Sequence, residues 1–157
     1  MTLQNIIYGL IRAIHNIGSS IWIGGLLILV FTFIPTARKF QGKSPEIQMM
    51  IGKFYQMLTK MIAVTIPVLF ISGIYLARMN SNFLGFFNFS NTYSTIMSLK
   101  IILVIVMLLI LFLRKKNQKK YMQTKENKYN IISERFVIVN TVLGIIVIFL
   151  SSVMVVL

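Results

Sequence analysis

The chain contains one histidine and one tryptophan, His15 and Trp22, and both lie in the same apolar segment. They are seven residues apart, about two turns of helix, so both side chains are expected on one helix face. An imidazole is costly to keep inside a membrane and can bind a metal or exchange a proton, so His15 is the first functional candidate. The alternative is a structural histidine that hydrogen-bonds a neighbouring helix or interfacial water.

Methionine is the second residue type with metal-binding chemistry, since the chain has ten methionines and no cysteine. Imidazole and thioether are good ligands for Cu(I). Met79 and Met97 flank the connection between the second and third apolar segments, on the side of the membrane expected for His15. We therefore take His15, Met79 and Met97 as a candidate copper site. The methionines at 49, 50, 57 and 61, on or near the second helix, are expected to be ordinary core filler.

Lys100 is the third candidate, because a lysine inside a membrane needs an explanation. Residues 101–113 cover about 20 Å as a helix, which is too short to cross a bilayer, so the span must extend through Lys100. Its backbone is then expected level with Trp22 and about 10 Å deeper than His15. The ammonium group is expected to reach toward His15 or to lie over the indole, with snorkelling to the headgroups as the alternative.

Other catalytic chemistry has little support in the sequence. We find no ligand set that suits zinc or iron, no paired carboxylates and no nucleophile–base pair. The protein is therefore expected not to be an enzyme, unless it binds haem.

Composition places these residues in a membrane protein. More than half of the 157 residues are hydrophobic, and a soluble domain of this length cannot bury so much apolar surface. Four stretches have roughly the length of a membrane span: 11–35, 61–77, 95–113 and 136–157. The sequence predicts an all-α fold in which residues 1–157 form one four-helix transmembrane bundle.

The charge distribution predicts the topology. Sixteen basic residues face only three acidic ones, and most of the basic residues fall between the first and second spans or between the third and fourth. The positive-inside rule then places both basic loops in the cytoplasm and both termini outside the plasma membrane. Contact with anionic lipids explains the charge better than nucleic acid does.

Local patterns predict three further features. Ser44-Pro45-Glu46 is typical of a helix start, so the second helix is expected to begin before its span. Residues 80–92 are rich in phenylalanine and are expected to form an aromatic belt or a lid. Residues 114–135 are rich in lysine and asparagine and are expected to be a connection that is mobile in its middle.

Small residues indicate where helices approach closely. Gly25 lies on the same predicted stripe of the first helix as His15, while bulky isoleucines occupy the opposite side. The residues expected at helix contacts are Trp22, Gly24, Gly25, Gly73, Asn140 and Gly144.

Four segments together resemble the copper resistance protein D (CopD) family of four-helix membrane domains. The resemblance is carried by one short pattern in each span: His15 with Trp22-Ile-Gly24-Gly25, Ser72-Gly73, Lys100, and Arg135. Five residues after that arginine the family usually has glutamate, and this chain has Asn140 instead. A histidine together with a membrane lysine is also similar, more distantly, to the HemJ-type protoporphyrinogen oxidases.

The resemblance implies copper binding, transport or homeostasis, with His15 as a ligand. The HemJ likeness implies haem held with the help of His15 and Lys100, and an oxidoreductase activity. A third interpretation is a subunit without a cofactor that scaffolds a larger, perhaps copper-dependent, membrane enzyme. Other membrane subunits or a second copy of the chain are the expected partners.

Overall fold

The computed structural model describes residues 2–41 and 44–156, so Met1 and Leu157 at the ends of the predicted domain lie outside it. The described residues form four long helices: α1 (residues 3–41), α2 (Pro45–Arg78), α3 (Thr92–Thr124) and α4 (Asn127–Val156). Each is long and apolar enough to cross a membrane, and no strand occurs among them. The predicted all-α, four-helix membrane fold is therefore confirmed.

Helix α1 is not uniform along its length. It is α-helical over Leu3–Ser19, Gly25–Leu27 and Ile34–Gln41, with π-helical turns at Ser20–Gly24 and Ile28–Phe33. A π turn holds an extra residue, so it rotates the face that follows, and such turns are frequent at functional sites. Trp22 lies within the first π turn.

The two basic connections differ from each other. Helix α2 begins as predicted, because the Ser44 hydroxyl accepts a hydrogen bond from the Ile47 N–H at 3.4 Å and Pro45 occupies the first turn. The predicted long connection over 114–135 is wrong, since only residues 125–126 separate α3 from α4. Lysine, glutamine and methionine are good helix formers, so α3 continues beyond its apolar span to Thr124.

The helices pack as two antiparallel pairs. Helix α1 lies mainly against α2, and α3 lies mainly against α4. We call the end that carries Leu3, residues 79–91 and Val156 the terminal end, and the end with residues 125–126 the basic end. Large apolar side chains such as Ile17, Val64 and Phe112 remain exposed around the outside of the bundle, as lipid contact requires.

Glycines mark two of the close helix contacts. A Cβ on Gly25 would overlap the Leu58 side chain of α2, and one on Gly144 would lie 3.2 Å from Ile23 of α1. A Cβ on Gly24 would meet no described side chain within 4 Å. Of the expected glycine pair, only Gly25 lies where two helices meet.

Polar contacts tie the bundle together at the basic end. Arg114 of α3 is only 4% exposed, its Nε donates to the Ser133 carbonyl of α4 at 3.2 Å, and its guanidinium lies 2.9 Å from the Tyr55 ring centroid of α2. Arg38 of α1 forms an ion pair with Glu134 of α4 at 2.7 Å. All four helices therefore take part in this cluster.

Candidate metal and ligand cavity

A cavity of about 540 Å³ lies in the half of the bundle near the terminal end. All four helices and the connection between α2 and α3 contribute to its walls, and we call it the terminal cavity. The lining residues used below are Arg12, His15, Trp22, Phe70, Gly73, Phe86, Phe87, Met97, Lys100, Ile101, Val104, Met107, Val147 and Met154. His15 and Trp22 therefore share one cavity, in agreement with their predicted common face.

The hydrogen bonds around His15 favour one tautomer of its imidazole. Its Nδ1 lies 2.9 Å from the Ser72 hydroxyl oxygen, and that hydroxyl lies 2.6 Å from the Val68 carbonyl oxygen. A carbonyl only accepts, so the Ser72 hydroxyl is placed to donate its one proton to Val68. This arrangement favours Nδ1 of His15 as the donor in the bond to Ser72. In the neutral imidazole, Nε2 then keeps its lone pair and is available as a metal ligand.

Gly73 makes room for the imidazole. A Cβ at this position would lie 3.3 Å from Cε1 of His15, which is tighter than ordinary packing. About one turn after His15 on α1, the contact is of the same kind, since a Cβ on Gly18 would lie 3.1 Å from the Leu69 side chain. The Ser72-Gly73 pair thus supplies both the hydrogen bond and the space that hold His15 against α2.

Lys100 lines the same cavity and is partly buried. Within residues 2–41 and 44–156 it has no ion-pair partner, and no cation–π contact joins it to Trp22. The predicted stacking on the indole is therefore absent from this structure. The Trp22 side chain is 4% exposed, and its Nε1 has no hydrogen-bond partner in the described part of the chain.

Three methionines line the cavity, and only one of them was expected. Met97 was a sequence candidate, whereas Met107 and Met154 were not. Met79 does not line the cavity, and it is 45% exposed just after the last residue of α2. The signal for Met107 was available, because Met97, Lys100, Val104 and Met107 follow the i, i+3, i+7, i+10 spacing of one helix face.

The connection between α2 and α3 covers part of the cavity. The Ser94 hydroxyl accepts the N–H of Leu84, and the Ser98 hydroxyl accepts the N–H of Phe87, both at 2.9 Å. These bonds hold the phenylalanine-rich connection against α3, where Phe86 and Phe87 reach the cavity wall. This placement agrees with the lid alternative of the sequence prediction.

Asn140 lies outside this cavity, on the inward face of α4. It is 1% exposed, and neither its amide nitrogen nor its amide oxygen has a hydrogen-bond partner among the described residues. Buried amides are normally satisfied, so this position is a local weakness in the packing.

The donors around the cavity fit one class of metal. No group of three or more His, Cys, Asp or Glu side chains comes together in the described ranges. One imidazole and several thioethers line the cavity instead, and this soft donor set suits Cu(I) rather than the harder divalent ions.

Comparison with known protein families identifies the family of this chain. The family model described as CopD, copper resistance protein D, matches residues 52–154. This chain belongs to the CopD family. It is thus a multi-pass membrane protein linked to copper resistance. No curated protein and no solved structure matches the chain.

The CopD match covers some of the site residues and leaves others outside the matched range. It covers Ser72, Gly73, Met97, Lys100 and Met154, so most of the cavity wall lies in the part shared with the family model. It begins after the whole of α1, so His15 and Trp22 lie outside the matched range.

Proposed function

We propose that this CopD-family protein binds Cu(I) inside the membrane, in the terminal cavity, as part of copper transport or homeostasis. The observation that carries the proposal is the bond from Nδ1 of His15 to Ser72. This bond leaves Nε2 with its lone pair on a side chain that lines the same cavity as the methionines. Copper is the cargo in this proposal, and His15 is its principal ligand.

Thioethers complete the ligand set. Met97 and Met154 lie on α3 and α4, across the cavity wall from the α1 helix that carries His15. Neutral sulfur and nitrogen ligands favour the monovalent ion, because they do not compensate a second positive charge. The Lys100 ammonium opposes the metal electrostatically, which suits a protein that releases copper rather than storing it.

Competition against a chromogenic Cu(I) chelator tests the proposal, with the purified protein in mild detergent and without oxygen. We expect His15→Ala to abolish binding of one copper per chain. Met97→Leu and Met154→Leu should each lower the affinity by at least about tenfold, the scale of losing a residue that directly supports a metal. The matched control is Met57→Leu, because Met57 is an exposed methionine of α2 outside the cavity.

Either of two results would contradict the copper proposal. In the first, His15→Ala binds copper like the wild type. In the second, Met57→Leu weakens binding as much as Met97→Leu does, so that thioether loss acts through general stability rather than through the cavity.

Haem is the second candidate, and the size and charge of the cavity favour it. A volume of about 540 Å³ falls within the usual range for organic ligands. His15 offers an axial nitrogen, and Arg12 and Lys100 offer positive charge for propionates. When bound, haem would supply electron-transfer chemistry to the site.

Metal content and absorption together separate the two candidates. Protein purified from native membranes should contain copper if the first proposal holds, and iron with a Soret band if the second does. His15→Ala should remove the Soret band in the haem case. Iron without a Soret band, or a band that His15→Ala leaves unchanged, would contradict haem binding at this site.

A further inference from the structure

Among residues 2–41 and 44–156, no acidic side chain lies near the positive charges of the terminal cavity. The three acidic residues are Glu46, Glu126 and Glu134. Glu46 is in the first turn of α2, Glu126 is in the connection before α4, and Glu134 pairs with Arg38, so all three lie toward the basic end. Arg12 and Lys100 line the cavity at the other end.

Lys100 is the more demanding of the two cations. It is partly buried in a membrane-spanning helix, where an uncompensated charge is expensive. Trp22 adds a second unsatisfied donor to the cavity wall, because its buried Nε1–H has no acceptor among the described residues. A cation and an indole N–H without acceptors both favour a ligand that brings negatively charged oxygen.

The rest of the cavity wall is apolar. Phe70, Ile101, Val104 and Val147 face the same space as the aromatic side chains of the connecting segment. The volume is far larger than a single inorganic anion requires, and it lies in the range that holds one small organic molecule. The ligand therefore needs an apolar body as well as an anionic head.

We propose that the terminal cavity binds a long-chain organic monocarboxylate, with its carboxylate paired to Lys100 and its apolar chain in the remaining space. Arg12 is exposed, so Lys100 is the partly buried cation that a ligand would balance. One carboxylate matches its single charge, whereas a phosphate monoester carries about 1.5 to 2 negative charges at neutral pH. This binding goes beyond the proposed copper site, because it uses neither the His15 lone pair nor the thioethers.

Ligand counting by native mass spectrometry tests the proposal on the delipidated full chain in mild detergent. Oleate is the probe, and methyl oleate is its control, since the ester keeps the chain and loses the charge. We expect one oleate per chain, bound at least about tenfold more tightly than methyl oleate, because a charge-assisted hydrogen bond has this magnitude. The emission of Trp22, the single tryptophan, reports entry into the cavity in parallel.

Substitutions of Lys100 test whether this residue causes the preference for oleate over methyl oleate. Lys100→Met should lower oleate affinity to that of methyl oleate, and Lys100→Arg should keep the preference. The matched control is Lys53→Met, which removes the same charge from an exposed position of α2 far from the cavity. Copper affinity measured on the same preparations distinguishes failure of this inference from failure of the copper proposal.

Three results would overturn the inference. Equal affinity of the wild type for oleate and methyl oleate would mean that the carboxylate does not contribute to binding. This comparison does not depend on the folding of any variant. Unchanged oleate binding by Lys100→Met would place the carboxylate elsewhere. An equal loss of oleate affinity in Lys53→Met would mean that the affinity depends on the net charge of the protein rather than on Lys100.

Discussion

At the scale of single residues, the chemistry of His15 depends on one hydroxyl proton. Ser72 gives that proton to the Val68 carbonyl of its own helix turn, at 2.6 Å. This favours the imidazole as the donor in the bond to Ser72, with the lone pair on Nε2. The serine thus holds the ring by one nitrogen and leaves the other available for a ligand.

The first prediction concerns this tautomer. In the metal-free protein at alkaline pH, we expect ¹⁵N NMR to show His15 protonated at Nδ1 and unprotonated at Nε2. Ser72→Ala removes the acceptor, so it should reduce the population of this tautomer. A spectrum with the proton on Nε2 in the wild type would contradict the assignment and weaken the copper proposal with it.

The second prediction concerns Asn140, whose buried amide has no partner among the described residues. Leaving such a group unsatisfied costs about 1–3 kcal/mol. Asn140→Leu keeps a similar volume and removes the penalty, so it should raise the unfolding midpoint in detergent. Thr141→Val is the control, because Thr141 is equally buried but donates to the Val137 carbonyl at 2.9 Å. A lower midpoint for Asn140→Leu would show that the amide is satisfied in the native protein.

At the scale of elements, α1 is positioned by close contact with α2. Gly25 faces the Leu58 side chain without room for a Cβ, and Gly18 lies nearly as close to Leu69. The contact at Gly18 lies one turn from His15 and brings it within reach of Ser72. The other glycine of the pair, Gly24, lies in the same π turn as Trp22 and faces open space.

The third prediction compares these neighbouring glycines. Gly24→Ala adds a methyl group where nothing obstructs it and improves helix propensity, so stability should be unchanged or slightly higher. Gly25→Ala forces the buried Leu58 side chain to move, and we expect it to be about 1–3 kcal/mol less stable than Gly24→Ala. Thermal unfolding of both variants in the same detergent measures the difference. Equal midpoints would mean that α1 and α2 are farther apart than described.

At the scale of the whole molecule, polar contacts join the two helix pairs at the basic end, whereas a cavity lies between them near the terminal end. Arg114 bridges α3 to Tyr55 of α2 and to Ser133 of α4, and the Arg38–Glu134 pair joins α1 to α4. The terminal half holds the cavity between the same helices. This arrangement keeps the bundle together while leaving room for a ligand near the terminal end.

The fourth prediction tests the bridging role of Arg114. Arg114→Met removes a charge-assisted hydrogen bond and the ring contact, so we expect a loss of about 2 kcal/mol, or about 4–8 °C in melting temperature. Lys115→Met is the control, since it removes the same charge from the adjacent exposed position. A similar loss in both variants would assign the effect to charge rather than to the bridge.

The sequence by itself determined the fold class, because the hydropathy of a span is a sum over its own residues. The four membrane helices and the Ser44 start of α2 follow from such local sums and caps, and the structure confirms them. The prediction for the connection over 114–135 was wrong because it also rested on local composition alone. Its polar composition indicated a loop, but helix propensity and continuation from α3 prevailed.

Only the tertiary structure decided which side chains share the cavity. Met107, Met154 and Arg12 join His15 there, and Met79 does not, although nothing in its local sequence distinguishes Met79 from the others. A cavity wall depends on the rotation and separation of four helices at once, and these are set by contacts such as Gly25 with Leu58 and Gly144 with Ile23. The sequence determined which residues carry side chains suited to the proposed copper site, and packing between distant segments decided which of them share the cavity.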